Sequence, residues 1–562
     1  MRNMNLTKYI FLALISVSVI SCENDDFLDR APGLNLDEET VFSIFENAQR
    51  FQSDIYVNLQ DGFNRVGNYQ PVPMSSASDE SDSYMGYHGT QTFNFGSYDG
   101  QDDQLSNYYA GIRKANIFLS KLEVIPFPDQ KTKDAMVGEV YFLRAFYYFE
   151  IIKRYGGMPI MEEILVPGDN LMYARNSYKE CAEYILKDCE SAISGLPVSR
   201  ADNEMGRVTK GAAMALKARM LLYAASPLWN LEFTNSDKWQ LAADAAKAVI
   251  DLRDENGALA YELYNTGKGA VDYERQFFTR RNSGNREVIF YKHESPIDFT
   301  NQQINVWAPK GEKFEGAGAV APTQNFVDLF EMNNGKTIDE PGSGYNPSNP
   351  YLNRDPRFYK TILYNGAVWQ GVTVETFLSP DLNPSSNGKH RKLLAEYTST
   401  GYYVRKYLPE EVKTKTSVMA YHNWIYFRLA EMYLNYAEAT NEASGPTPEV
   451  YAALHEVRNR SGMVDMPAGL DKEQMRKRIM NERAIELSFE EQRWWDARRW
   501  KKGSEWFGGD FYEMYIVKNA DGSLSYTKKP FETRVYRDYM DLYPIPISEM
   551  NKNPLLQQNP GW

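Results

Sequence analysis

Glu482, Glu486 and Glu490 stand four residues apart, a spacing that on a helix lines carboxylates along one face, as a general acid and base would require. Arg483 and Arg493 fall in the same predicted helix. Acids and arginines interleaved in this way belong to a salt-bridged helix, so the three glutamates are read as structural. Hard oxygens gather at Ser78-Asp79-Glu80-Ser81-Asp82-Ser83 and at Asp99-Gly100-Gln101-Asp102-Asp103, but neither run follows the twelve-residue EF-hand spacing. The expectation there is a solvated acidic loop, with a structural calcium shaping the first run as the alternative. His88, His293, His390, His422 and His455 are scattered without an HExxH pair, and the cysteines form no zinc knuckle. Neither G-x-S-x-G nor a phosphate-cradling glycine loop occurs. The residues therefore point to no catalytic set, no transition metal and no cofactor.

What remains is aromatic. Tyr84, Tyr87, Phe93 and Phe95 lie in one loop-like stretch, and Trp307, Tyr345, Tyr351 and Trp369 in another. Flat rings cover the apolar C–H faces of a hydroxylated ligand, while planar amides and guanidinia pair with its hydroxyls; a buried hydroxyl left unpaired costs about 1–3 kcal/mol. Trp307 is the leading platform, because Asn301-Gln302-Gln303 precedes it and Asn305 sits two residues before it. Tyr84, Tyr87, Tyr345, Trp369 and Asn305 complete the ligand-contacting candidates. The competing use of each ring is to cover loop packing.

These loops need a scaffold, and the sequence supplies a helical one. Phe142, Ala145, Phe146, Phe149 and Ile152 recur at three- and four-residue steps from Val140 to Tyr155, before Gly156-Gly157. A partner helix runs from about Ser177 to Ile193. A second hairpin pairs Thr209–Ala225 with Trp239–Leu252, both dense in alanine, and a third starts at Trp424 and turns at Gly445-Pro446 into Pro448–Arg460. A fourth pair is expected from Glu38–Leu59 with Leu105–Leu122. Small residues at contact positions with large rings opposite predict a mainly α fold of degenerate tetratricopeptide-type hairpins, each burying its apolar face against its neighbours.

The scaffold should occupy about 38–60, 104–266 and 421–500. Between about 61–103 and 267–420 Gly, Pro, Asn and Tyr rise and helical periodicity mostly disappears apart from Asn325–Met332. Short β-like runs such as Glu287–Tyr291 and Tyr402–Tyr407 alternate there with turn clusters. Loops on a rigid scaffold are where binding residues concentrate.

The net charge of −13, with pI ≈ 5.2 and no long Lys/Arg block, lacks the electrostatic footprint of nucleic-acid binding. A mean hydropathy of −0.54 excludes a polytopic membrane protein, and 14% aromatic residues argue against disorder.

Residues 1–21 read as a leader: Arg2 and Lys8 precede the apolar run Tyr9–Ile20. Twelve helical residues span about 18 Å, short of the roughly 30 Å hydrocarbon core, so cleavage is expected rather than a permanent span. Ser21-Cys22 resembles a bacterial lipobox, which would acylate Cys22 and anchor the chain by its acyl tails. Residues 22–37 form an acidic tether, and Glu23-Asn24-Asp25-Asp26 is similar to the surface-export signal of Bacteroidetes lipoproteins. Cys181 and Cys189, eight residues apart in one helical pattern, lie about 12 Å apart along the axis, beyond the roughly 7 Å a disulfide allows, and are expected to be inert core thiols.

Several phrases in order resemble one family, SusD/RagB: Asp25-Asp26-Phe27-Leu28-Asp29, Arg207-Val208-Thr209-Lys210-Gly211-Ala212-Ala213, Arg354-Asp355-Pro356-Arg357-Phe358, the stretch from Arg428 to Ala439, Asn481-Glu482-Arg483 with Glu486, and Arg493-Trp494-Trp495-Asp496. A terminal signature follows over 530–562, ending in Gln558-Asn559-Pro560-Gly561-Trp562. The resemblance implies a SusD-like domain over 38–562. It also implies a non-enzymatic outer-membrane lipoprotein that faces the exterior and sits as a lid on a SusC-like TonB-dependent transporter. Members of that family capture nutrient, most often an oligosaccharide and sometimes peptide, on the loop-rich side, while the repeat face docks on the transporter. Peptide capture, a surface glycoside hydrolase with two carboxylates across a cleft, and a purely protein-binding repeat scaffold are the competing readings.

Overall fold

The computed structural model describes residues 38–63, 66, 72–83, 89–98, 103–230, 236–292, 297–298, 306–383, 385–392, 397–411, 419–420 and 423–562. Cys22, the tether, Tyr84, Tyr87 and Asn305 lie outside the described residues. Ten helices of eight or more residues appear among those described: α1 Phe45–Ile55, α2 Leu105–Ser120, α3 Gln130–Tyr155, α4 Tyr178–Gly195, α5 Lys210–Ala225, α6 Ser236–Ile250, α7 Leu429–Ser444, α8 Pro448–Arg460, α9 Lys472–Glu486 and α10 Gln492–Arg499.

Local chemistry fixes where these helices start and stop. Asp129 accepts a hydrogen bond from the Thr132 backbone N–H ahead of α3, and Gly156, at φ 75°, ends it in a conformation that favours glycine. Ser177 and Glu180 close a capping box on α4, and Asp471 with Gln474 does the same for α9. Pro448 occupies the first turn of α8, where its missing N–H leaves no bond unmade.

The helices pack in chain order, α1 on α2, α2 on α3, and onward through α4, α5 and α6. α7 then seats on α6 and carries α8 and α9. The array is thus continuous in space although nearly 180 residues separate α6 from α7 in the chain. The small residues allow the close approach: a Cβ added at Gly211 in α5 would stand 2.2 Å from the Tyr261 hydroxyl. Ala242 and Ala243 of α6 and Ala439 of α7 share one buried cluster with Trp239.

The third hairpin starts later than its periodicity predicts. Trp424–Arg428 is a strand, antiparallel to Val288–Lys292 with Ile425 opposite Tyr291. Five consecutive buried residues, Trp-Ile-Tyr-Phe-Arg, cannot be told from a buried helical turn by pattern alone, and the pairing decides. The insertion is thereby pinned at its base by strands from its two ends. Asn325–Met332 yields only a four-residue helix, Gln324–Val327. Ser81–Ser83 pairs with Val320–Pro322 and joins the first loop region to the insertion.

A hairpin of Gly509–Lys518 and Leu524–Arg534 was not anticipated. It joins the insertion where the Leu378 N–H donates to the Ile516 carbonyl at 2.8 Å. The C-terminal segment straps the end of α3: Tyr543 N–H donates to the Arg154 carbonyl at 2.7 Å, and Asn559 Nδ2 to the Tyr155 carbonyl at 3.0 Å. No helix among the described residues is long and apolar enough to cross a membrane.

Candidate functional site

Trp307 is not a surface platform. It is 0% exposed, its Nε1–H donates to the Phe63 carbonyl at 3.0 Å, and its ring meets Phe63, Tyr407 and Phe489 edge-on at centroid distances of 6.2, 5.8 and 6.0 Å. Three segments distant in sequence converge on it, which its amide-rich neighbourhood could not disclose. Trp369 is also a core residue: it is fully buried beside Phe314 at 5.0 Å, with its indole N–H unpaired. Tyr351 is buried, and Phe93 stacks on Tyr98 at 3.9 Å. Phe95 remains half-exposed.

Of the three ligand candidates among the described residues, Trp307, Trp369 and Tyr345, it is Tyr345 that stays accessible. It is half-buried, and its ring lies 5.6 Å from the Arg354 guanidinium. Arg354 is itself held by the carbonyls of Pro350, Val327 and Phe330, so the cation under the ring is fixed. Tyr345 lies within electrostatic reach of Tyr351, and Tyr351 gathers two tyrosines absent from the sequence candidates. Half-buried Tyr364 and Tyr526 lie 4.5 and 5.6 Å from Tyr351, centroid to centroid.

A chain of hydrogen bonds runs outward from this group. The Tyr351 hydroxyl donates to that of Tyr402 at 3.4 Å, Tyr402 donates to Gln324 Oε1 at 2.6 Å, Gln324 Nε2 donates to Asp328 Oδ1 at 2.5 Å, and Lys528 Nζ to Asp328 Oδ2 at 2.7 Å. Burial raises the phenols of Tyr345, Tyr351, Tyr402 and Tyr526, with Asp328 adding to the first, so all four are neutral at pH 7. The result is a face with half-exposed rings, neutral hydroxyls and one carboxylate–ammonium pair at the rim. Such a set stacks on C–H faces and exchanges hydrogen bonds with hydroxyls.

The three spaced glutamates are elsewhere and are committed to arginines. α9 ends at Glu486, so Glu490 lies in the turn beyond it and Arg493 in α10; Phe489 and Glu491 take φ values of 58° and 61° to make that turn. Arg357 bonds Asp355, Glu482 and Glu486; Arg428 bonds Glu287, Glu486 and Glu490 at 2.7–2.9 Å; Arg458 bonds Glu482 and Glu331 at 2.7 and 2.8 Å; Arg460 bonds Glu287 and Glu486. Burial alone would raise Glu486, but Arg460, Arg428 and Arg357 together hold it well below the usual carboxylate range. The three glutamates are salt-bridged, as the spacing suggested, but in a buried lattice rather than along one solvated helix face.

The first acidic run is not a solvated loop. Asp79, Glu80 and Asp82 are at most 5% exposed. Arg493 holds Asp79 at 2.6 and 2.9 Å, the Phe489 N–H donates to Glu80 at 2.6 Å, and Asp82 accepts from Gln91 and Ser399 at 3.0 and 2.9 Å. With these oxygens engaged by protein donors the run does not fit a calcium site, and no metal-ligating group of three or more acids, histidines or cysteines occurs among the described residues. Cys181 and Cys189 are free and buried.

A cleft of about 370 Å³ lies on the repeat scaffold between α2, residues 158–173 and the C-terminal segment. None of the sequence candidates lines it.

Known proteins share this architecture. A model of the SusD family matches residues 286–562, and a second, described as starch-binding and associating with the outer membrane, matches residues 26–222. A SusD-like protein of Bacteroides fragilis with a solved structure is 28% identical and matches 93% of this chain and 98% of its own, with a TM-score of 0.75. A laminarin-binding SusD-like protein, 21% identical, shares the fold over 92% of this chain and 99% of its own at a TM-score of 0.64. SusD-like protein P2 of Formosa agariphila is 26% identical over 81% of this chain and 79% of its own. Two models that tile most of one continuous helical array, with its strand-based insertion, lead to a single assignment: the chain belongs to the SusD/RagB family.

Proposed function

We propose that this protein is a cell-surface lipoprotein that captures oligosaccharide on its loop-rich face and delivers it to a SusC-like TonB-dependent transporter, without acting on it chemically. The observation that carries the reading is the tyrosine face: half-exposed Tyr345, Tyr364 and Tyr526 around a hydrogen-bonded chain that ends at Asp328 and Lys528. Support comes also from the starch-binding description of the family model over residues 26–222 and from the laminarin-binding relative, which shares the fold. Acylation at Cys22 would hold the protein on the outer membrane facing outward.

The test is affinity electrophoresis of the unlipidated protein through a panel of polysaccharides. The expected result is retardation by at least one glycan with no release of reducing ends; free mobility in every gel, with retention on a peptide panel instead, would replace this reading with peptide capture. Labelled palmitate on Cys22, loss of the protein when intact cells are treated with protease, and co-purification with a large β-barrel from mild detergent test the anchor, orientation and partner.

A further inference from the structure

The cleft on the repeat scaffold is apolar where a helical array would ordinarily be polar. Leu105, Tyr109 and Ile112 of α2 form one wall, and Leu171 and Leu556 help form the others. Leu171 in its wall and four residues next or next but one in the chain to its lining, Val166, Met172, Ile547 and Leu555, are 46–71% exposed, five of the fifteen large hydrophobics most open to solvent among the described residues. Concentrated exposed apolar surface around a formed cleft marks a place where something docks.

We infer that the occupant is the chain's own N-terminal segment, residues 26–37. The described chain begins at Glu38, which is ion-paired to Lys121 just beyond the C-terminal end of α2. The cleft opens on that same helix, and Arg113 on its wall is eight residues, about 12 Å, back along the axis. Twelve extended residues reach roughly 40 Å, so the segment spans the cleft with length to spare. It also carries apolar side chains that a solvated tether would not need: Phe27, Leu28, Pro32, Leu34 and Leu36. Being attached, it competes at an effective concentration on the order of millimolar, which a free partner would seldom match.

The test uses residues 22–562 with Cys22→Ser and adds the pair Leu28→Cys and Leu171→Cys; native Cys181 and Cys189 are buried and do not compete. Mild oxidation should give an internal disulfide, while Leu28→Cys with Leu352→Cys on the insertion should not. Hydrogen exchange gives an independent readout: the double variant Phe27→Asp, Leu28→Asp should speed exchange across residues 158–173 about tenfold. Absence of the internal disulfide together with unchanged exchange overturns the inference, as does a disulfide formed only between molecules, which would make a second copy the occupant.

Discussion

Arg428, the last residue of the strand that closes the insertion, places its guanidinium 2.8 Å from Glu486 at the end of α9, with both side chains almost wholly buried. One ion pair thus joins the loop-bearing insertion to the helical array, and Arg357 and Arg460 meet the same carboxylate. Removing one member of such a set leaves uncompensated buried charge. Arg428→Ala should cost about 3–5 kcal/mol in urea unfolding, whereas Arg275→Ala, at an exposed pair with Glu411, should cost under about 1 kcal/mol.

The same lattice sets the acid limit. Glu482, Glu486 and Glu490 are all held below their ordinary range, so they bind fewer protons folded than unfolded. Their stabilisation is present above the unfolded carboxylate range near pH 4.5 and is lost as pH falls through the folded values. Urea midpoints should therefore fall steeply below about pH 4; a flat profile down to pH 3 would contradict the ionised lattice.

Glu80 behaves oppositely. Burial pushes it up to about 8, against the Phe489 N–H that lowers it. Its folded form favours the proton, so its contribution is full below about pH 4.5 and is lost as pH rises toward 8. Glu80→Gln keeps an acceptor for Phe489 and should flatten the decline in stability between pH 5 and 8. An unchanged difference between variant and wild type across that window would argue that Glu80 is ionised throughout.

Trp307 and Tyr345 separate core from face. Trp307→Ala should destabilise the protein by about 3–5 kcal/mol through the cavity it leaves among Phe63, Tyr407 and Phe489. Tyr345→Ala, at a half-exposed position, should cost under about 1 kcal/mol. Thermal scans of the two variants distinguish these outcomes.

What was legible in the sequence is what local periodicity encodes. The helix pairs from α3 to α6, the stop at Gly156 and α8 beginning at Pro448 follow from apolar spacing and terminal residues, although α3 starts at Gln130, ten residues before the periodic run from Val140. Contacts between distant segments were not legible: Trp424–Arg428 became a strand because Val288–Lys292 lies beside it, and Trp307 became core because Phe63 and Phe489 enclose it. Glu490 left its helix because α9 stops at Glu486 and the chain turns sharply at Phe489. The 509–534 hairpin did carry a signal, alternating apolar residues about Asp521-Gly522, which turn chemistry would have identified. Of the site, Tyr345 was nameable from its loop, but Tyr364 and Tyr526 join it only through Tyr351.

Glycan binding through the tyrosine face rests on one comparison: the dissociation constants of wild type and Tyr345→Ala for whichever polysaccharide retards the protein. The expected result is a loss of at least about tenfold, or 1.4 kcal/mol, with the melting temperature essentially unchanged. Equal affinity in the two proteins would mean that the ligand is held elsewhere.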